Sequence, residues 1–161
     1  MPPRASRIEQ LVTGLALEPH PEGGFYREFY RSAASVEPDD GRSTRSAFTA
    51  IYFLLRAGDV SRWHRVRSDE QWTHIEGGRV ELFVIDPVSF RLTTHVLGGE
   101  CATAVVPAGA WQAARPGGEF ALVTCGVGPG FDFADFAFMT DDTVATQHLR
   151  EAHAGLAALL G

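Results

Sequence analysis

The residues that could do chemistry crowd into one stretch between Gly58 and Gly77, GDVSRWHRVRSDEQWTHIEG. His64 and Glu70 are an imidazole and a carboxylate, groups that can pass a proton or donate lone pairs to a cation. In an extended chain, residues two apart face the same side. His64 therefore shares a face with Val66, and Glu70 shares one with Trp72 and His74. A first-row metal held by protein alone takes three or four ligands at about 2.0–2.2 Å, and His64 with Glu70 supplies two. Gln112, three residues past the Pro107-Ala108-Gly109 turn, offers a neutral oxygen that binds metal less well than imidazole but hydrogen-bonds a substrate well. His74 cannot complete a set with Glu70, because four residues of strand separate them by about 13 Å, at about 3.3 Å per residue.

These residues admit a metal centre on His64, Glu70 and Gln112, taking a divalent ion such as Zn, Ni, Mn or Fe. They equally admit a metal-independent acid/base pair, or a buried polar pair that only positions strands. Glu70 facing a small barrel must be paired, hydrated or neutralised, since desolvating a carboxylate costs several kcal/mol. Burial beside aromatics moves both groups toward the pKa range useful for proton transfer. His64 is the expected partner of Glu70.

The elements that must hold this stretch can be read outward from it. Ser6-Arg7-Ile8-Glu9 has the form of a capping box, followed by Ile8, Leu11, Val12 and Leu15 at helical spacing. A short helix over 6–17 ends before Pro19. Residues 25–31 alternate as a strand, with Phe25, Arg27, Phe29 and Arg31 on one face and Tyr26, Glu28 and Tyr30 on the other. Residues 33–45 contain Pro38-Asp39-Asp40-Gly41 and read as an exposed loop. The apolar run 47–55 reads as a strand buried in the core or at a subunit contact.

Further strands are expected over 79–85, 90–97, 103–106, 112–115, 119–127 and 131–138, with Asp-Pro, Gly-Gly and Pro-Gly signals among them. About ten short strands at regular spacing indicate an all-β jelly-roll barrel over 20–138. Asp141 or Asp142 can cap a closing helix over 142–160 carrying Val144, His148, Leu149, Ala152, Leu156 and Leu160. The whole chain, 1–161, is expected to be one domain.

Such a barrel encloses a pocket lined from alternate strand positions. The expected inward set is His64, Glu70, Trp72, His74 and Gln112, with Tyr52 or Phe53 according to register. Arg27, Arg31, Arg62, Arg65 and Arg67 gather around the same region of an acidic chain. Arginine forks suit carboxylate or phosphate, which points to an anionic small ligand; the competing reading is surface pairing with Glu28, Asp59 and Asp69. Asp132, in the Gly128-Pro129-Gly130-Phe131-Asp132-Phe133 turn, either orients a histidine or arginine at the pocket mouth or only completes the turn.

A net charge of −6 and a pI near 5.4 argue against a nucleic-acid partner, which needs a basic face. No apolar run is long enough to span a membrane, and MPPRASRIEQ lacks the apolar core of a signal peptide, so a cytoplasmic protein is expected. Cys101 and Cys125 are too few for a disulfide scaffold, and Cys125 in LVTCGV reads as a buried, inert thiol.

Four segments carry a resemblance: HPEGGFYREFYRS, TAIYFLLRAGDVSRWHRVRSDEQW, VVPAGAWQAA and CGVGPGFDFADF. They make the chain resemble the cupin superfamily and, within it, the small single-domain cupins of the DUF985 or Cupin_5 family. The resemblance implies a cupin-type double-stranded β-helix flanked by a short N-terminal and a C-terminal helix. It also implies that Val66 and Gln112 stand where metal-binding cupins carry two further histidines, while His64 and Glu70 are kept. Arg27, Glu28 and Arg31 fall in the family's YRE-x-x-R segment.

Deoxysugar epimerases of cupin architecture use a histidine base without metal. That likeness favours an epimerase- or isomerase-like enzyme acting on an anionic sugar or small acid. The alternatives are a mononuclear metal cupin, a dioxygenase or isomerase with a degenerate site, and a non-catalytic ligand-binding cupin. The epimerase reading needs a tyrosine acid in the pocket, and Tyr26, Tyr30 and Tyr52 are the tyrosines available. The family implies a homodimer, which would also cover the sticky strands 47–55 and 25–30.

Overall fold

The computed structural model describes residues 5–161. Its first element, α1 (Arg7–Gly14), begins at the expected capping box: the Ser6 hydroxyl accepts from the Glu9 N–H, and the Glu9 carboxylate accepts from the Ser6 N–H. Leu11 on its inner face packs with Leu17, Leu54 and Leu122 against the outside of the barrel.

The strands follow as β1 (Glu18–Pro19), β2 (Phe25–Arg31), β3 (Ser35–Val36), β4 (Arg45–Ser46), β5 (Thr49–Arg56), β6 (Ser61–Val66) and β7 (Asp69–Gly77). Then come β8 (Val80–Ile85), β9 (Leu92–Leu97), β10 (Thr103–Val106), β11 (Trp111–Pro116), β12 (Phe120–Gly128) and β13 (Phe136–Phe138). One sheet has the order β1-β2-β5-β12-β7-β10 and the other β13-β6-β11-β8-β9, every pairing antiparallel. Consecutive strands β6 and β7 lie in different sheets, so the chain winds between two faces as a double-stranded β-helix, the expected all-β jelly roll.

Phe53, Leu55, Trp72, Leu82, Val84 and Leu97 fill the space between the sheets. The second sheet buries its outer face under the C-terminal segment, where Trp63, Trp111 and Met139 meet Leu149, Leu159 and Leu160. Asp142 caps α2 (Thr143–Ala152) by accepting from the Ala145 N–H at 3.0 Å. The closing helix does not run unbroken to 160. His153 leaves helical geometry at φ −140°, ψ 50°, Gly155 follows, and the chain continues as 3₁₀ turns over Ala154–Leu160.

One local expectation changes: the strand expected over 131–138 shrinks to β13, because Phe133–Asp135 forms a 3₁₀ turn. The loop 33–45 is exposed along most of its length, as expected, and is also pinned. Arg45 grips Asp135 through two bonds of 2.9 Å, and Arg42 reaches the same carboxylate at 3.0 Å and the Ser68 hydroxyl at 3.0 Å. Both guanidiniums are buried. Among the described residues, no helix is long and apolar enough to cross a membrane.

Candidate functional site

A cavity of about 740 Å³ opens at one end of the barrel, reached by side chains from β2, β5, β6, β7 and the segment 127–136. His64, Glu70, Glu22, His20 and Tyr26 are among its titratable and hydroxyl groups. The β6 pleat turns Ser61, Trp63 and the cavity-lining His64 into buried positions.

His64 is held at both ring nitrogens. Nδ1 lies 2.7 Å from the Arg62 carbonyl oxygen, which can only accept, so Nδ1 carries a proton. Nε2 lies 2.9 Å from a Glu22 carboxylate oxygen, and a second proton must sit between those atoms. The other Glu22 oxygen accepts from the Ser61 hydroxyl at 2.9 Å. Burial alone would depress the His64 pKa, but the charge and hydrogen bond of Glu22 outweigh it and raise it to about 8. Burial pushes the Glu22 carboxyl up, and the attraction and hydrogen bond of His64 more than reverse that, leaving it below its ordinary value. The two form an imidazolium–carboxylate pair.

Glu70 has no cation bonded to it. One oxygen accepts from the Gln112 amide at 2.8 Å, and the Gln112 carbonyl accepts from the Trp72 indole N–H at 2.9 Å. The indole can only donate, so it fixes which end of the amide meets Glu70. Burial raises the Glu70 pKa to about 7; the nearby Glu22 charge adds to this, while His64, Gln112 and Cys125 oppose it. His20 completes the group. Its Nδ1 accepts from the Glu22 N–H at 3.0 Å, which leaves the proton of the neutral ring on Nε2, and burial holds its pKa below the ordinary value.

The fold brings Glu22 here through an unusual turn. Gly23 and Gly24 both have positive φ, and a Cβ at either would overlap a carbonyl oxygen, of Val60 and Leu54 respectively. The glycines let residues 20–24 press against β6, where the Arg62 N–H donates to the Glu22 carbonyl at 2.8 Å. Sequence reasoning on spacing missed His20 and Glu22. Their signal was the Glu22-Gly23-Gly24 string after His20, a charged residue beside two glycines where close backbone approach is needed.

His64 and Glu70 both line the cavity, yet each hydrogen-bonds another residue, contrary to the expected His64–Glu70 pair. Trp72 and Gln112 lie behind Glu70, fully buried, and not on the cavity wall. His74 sits past Trp72 along β7, where Nε2 meets the Gly78 carbonyl at 3.0 Å, so it does not reach the cavity. Tyr52 points to the outer face, its ring 4.4 Å from that of Phe29, because Thr49, Ile51 and Phe53 take the inward positions of β5. Tyr26 is the tyrosine that lines the cavity.

Arg27 lines the cavity while donating to the Leu15 carbonyl at 3.3 Å. Arg31 lines it too, but on the face of Tyr26 and Glu28 rather than that of Arg27. A bulge at Phe29 lets Glu28 oppose Ile51 while Arg31 opposes Thr49. Its fork is filled by Glu28 at 2.7 and 2.8 Å. Asp132 stands at the wall and accepts from the Ala134 N–H at 2.8 Å, capping the 3₁₀ turn.

The proposed metal set of His64, Glu70 and Gln112 does not fit an ion. Both nitrogens of His64 are engaged, Val66 offers no donor, and the Gln112 amide is held between Trp72 and Glu70. Among the described residues, no three His, Cys, Asp or Glu side chains gather as a ligand set.

A protein of Saccharomyces cerevisiae, the uncharacterized YML079W, is 31% identical over 159 residues, covering 86% of this chain and 78% of its own. Among solved structures, a hypothetical protein from Leishmania major superimposes with a TM-score of 0.81 at 31% identity, covering 96% of this chain and 97% of that one. SO0799 from Shewanella oneidensis gives 0.80 at 34%, covering 97% and 96%. A variant of the oxalate decarboxylase of Bacillus subtilis shares the fold alone, at 0.55 and 18% identity over 73% of this chain and 28% of that one. The pattern described as Cupin superfamily (DUF985) matches residues 9–139, and the chain therefore belongs to the Cupin_5 family.

Proposed function

We propose that the protein is a metal-independent acid/base enzyme, isomerase- or epimerase-like, with Glu70 as its proton-transfer group. The observation that carries this is the contrast between two buried carboxylates at one cavity. Glu22 is held ionised by His64, whereas Glu70 lacks a cationic partner and is raised to about 7. Pairs of titratable groups whose surroundings drive them apart mark the division into fixed charge and working acid or base.

In this scheme Glu70 removes a proton from a substrate carbon next to a carbonyl. The electron pair of the broken C–H bond moves onto the carbonyl oxygen, which accepts a hydrogen bond from the Tyr26 hydroxyl or the His20 Nε2–H. Return of a proton to the other face of that carbon restores the carbonyl and inverts the centre; where that carbon bears a hydroxyl, transfer of the hydroxyl proton to the former carbonyl oxygen and return of the carbon-bound proton to the neighbouring carbon isomerise the substrate. The Glu22–His64 pair keeps its charges fixed throughout and holds the turn that carries His20.

The test is exchange of substrate C–H protons in deuterated buffer, followed by NMR over a panel of aldoses, ketoses, amino sugars and 2-amino ketones. Protein-dependent exchange is expected, reduced at least about 100-fold in a folded Glu70→Gln variant. Undiminished exchange in Glu70→Gln, or a Glu70 carboxyl that titrates near 4.5 by ¹³C NMR, would overturn the scheme.

A further inference from the structure

The cavity has a charge pattern opposite to the one the arginine-rich sequence around it suggests. Its wall carries five carboxylates, Glu18, Glu22, Glu28, Glu70 and Asp132, against the two arginines Arg27 and Arg31 and the histidines His20 and His64. Of the charged cations, Arg31 and His64 are already committed to carboxylates, and Arg27 is left without one among the described residues. Glu28 takes the Arg31 fork through two bonds, and Arg31 also donates to the Phe131 carbonyl at 3.1 Å. Glu22 takes the His64 ring at 2.9 Å, and Arg27 points a donor at the Leu15 carbonyl. On the acidic side, Glu18 makes no hydrogen bond with its side chain among the described residues, and Asp132 is engaged only by a backbone N–H.

Much of the rest of the wall is aromatic, with Thr49, Ile51, Val66 and Val127 between the rings. Phe131 meets Phe133 and Phe136 edge to face at 4.9 and 6.3 Å, and the Phe136 ring stacks on His64 at 5.1 Å. Tyr26 stands edge-on to His20 at 4.4 Å. Ring faces attract cations and offer nothing to an anion. An anion entering would find Arg27 alone and would have to break the Arg31–Glu28 fork to reach a second arginine, against the greater number of carboxylates on the wall, while an ammonium group meets unfilled carboxylate oxygens and ring faces as they stand.

We infer that the ligand of this cavity is a small organic cation, an amine-bearing molecule, and that anions are turned away. The inference deepens the proposed function by naming the substrate class of the same cavity. Its test reads charge preference alone, so proton-transfer chemistry and charge selection can fail independently.

The experiment places a thiol on the wall with Ile51→Cys in a Cys101→Ser background. Ile51 lines the cavity between the strands that carry Glu28 and Cys125, and Cys125 itself is buried with its thiol pKa pushed well up. Labelling rates are compared for 2-aminoethyl methanethiosulfonate, a cation, and 2-sulfonatoethyl methanethiosulfonate, an anion. The thiolate displaces sulfinate from either reagent, so the fraction of thiolate cancels in the ratio. The cation-to-anion ratio is expected to exceed that of free 2-mercaptoethanol by at least about tenfold at low salt and to shrink at about 0.5 M salt, where the screening length falls to a few ångströms. Glu28→Gln, which releases Arg31, should lower the ratio several-fold. A ratio at or below that of free thiol, or one unmoved by Glu28→Gln, would overturn the inference. Val127→Cys gives a second wall position should Ile51→Cys unfold.

Discussion

Replacing Glu70 by glutamine should stabilise the protein at neutral and alkaline pH while impairing any proton-transfer chemistry. A carboxyl raised on folding is one that the folded state prefers protonated. Between its unfolded and folded pKa values the folded protein binds more protons, so stability falls as pH rises. For Glu70 this window runs from 4.5 to about 7. At about 1.4 kcal/mol per tenfold change, Glu70 costs about 3 kcal/mol of stability above pH 7. Glutamine keeps the shape and can present its carbonyl to the Gln112 amide in place of the carboxylate oxygen that now accepts it at 2.8 Å. The wild type should therefore lose about 3 kcal/mol between pH 5 and 8 from this group, and Glu70→Gln should not. Urea denaturation at pH 5, 6, 7 and 8 for both proteins measures the difference directly. If the two denaturation midpoints fall in parallel across that range, or if the variant is the less stable at pH 8, the assignment of Glu70 as a strained, desolvated carboxyl is wrong.

Glu22→Gln should destabilise by about 3–5 kcal/mol at pH 6, because it strands a buried imidazolium. His64 is raised, so its stabilisation is complete below pH 6.5 and lost as pH rises through about 8; the variant should lack that decline in a pH series of unfolding curves. Trp72→Phe keeps a ring in the core but frees the Gln112 amide to turn over, so the Glu70 carboxyl should titrate above its present value near 7 by ¹³C NMR. Arg45→Ala removes the two-bond grip on Asp135 and should speed limited proteolysis within 37–44, with a loss of about 3 kcal/mol in thermal unfolding. Ellman's reagent should modify the exposed Cys101 in the native protein and reach Cys125 only on denaturation.

The barrel was legible because its cues are local. Strand alternation, the Pro-Gly and Gly-Gly turns and the capping residues of both helices each act within a few residues, and the segments that carry the family resemblance are spread over most of the chain. His64 and Glu70 were legible for the same reason, standing on consecutive strands at fixed spacing. Their partners were not. Glu22 is 42 residues before His64, and Gln112 is 42 after Glu70, so both bonds depend on how sheets close rather than on any local period. Whether Tyr52 or Phe53 faces inward stays open in the sequence, since a run of apolar residues on both faces gives no phase, and the structure selects Phe53. Asp135 could not be matched to Arg42 and Arg45 from sequence either, because the ion pairs span about ninety positions.

The bulge at Phe29 means that the mouth of the cavity is governed by a count rather than by a residue type. Arg31 faces inward only because one extra position is looped out of β2 ahead of it. Deleting Phe29 would take out the extra position and leave Arg31 opposite Thr49, still facing inward. Drawing the strand into regular register with Phe29 kept would instead turn every later side chain over, sending Arg31 to solvent and bringing Tyr30 in, although no residue at the mouth had been substituted. Glu28 would then stay where it is and lose its counter-ion. Relatives of equal length that lack the bulge would need their strands compared by facing direction, since column-by-column matching would pair an inward side chain with an outward one.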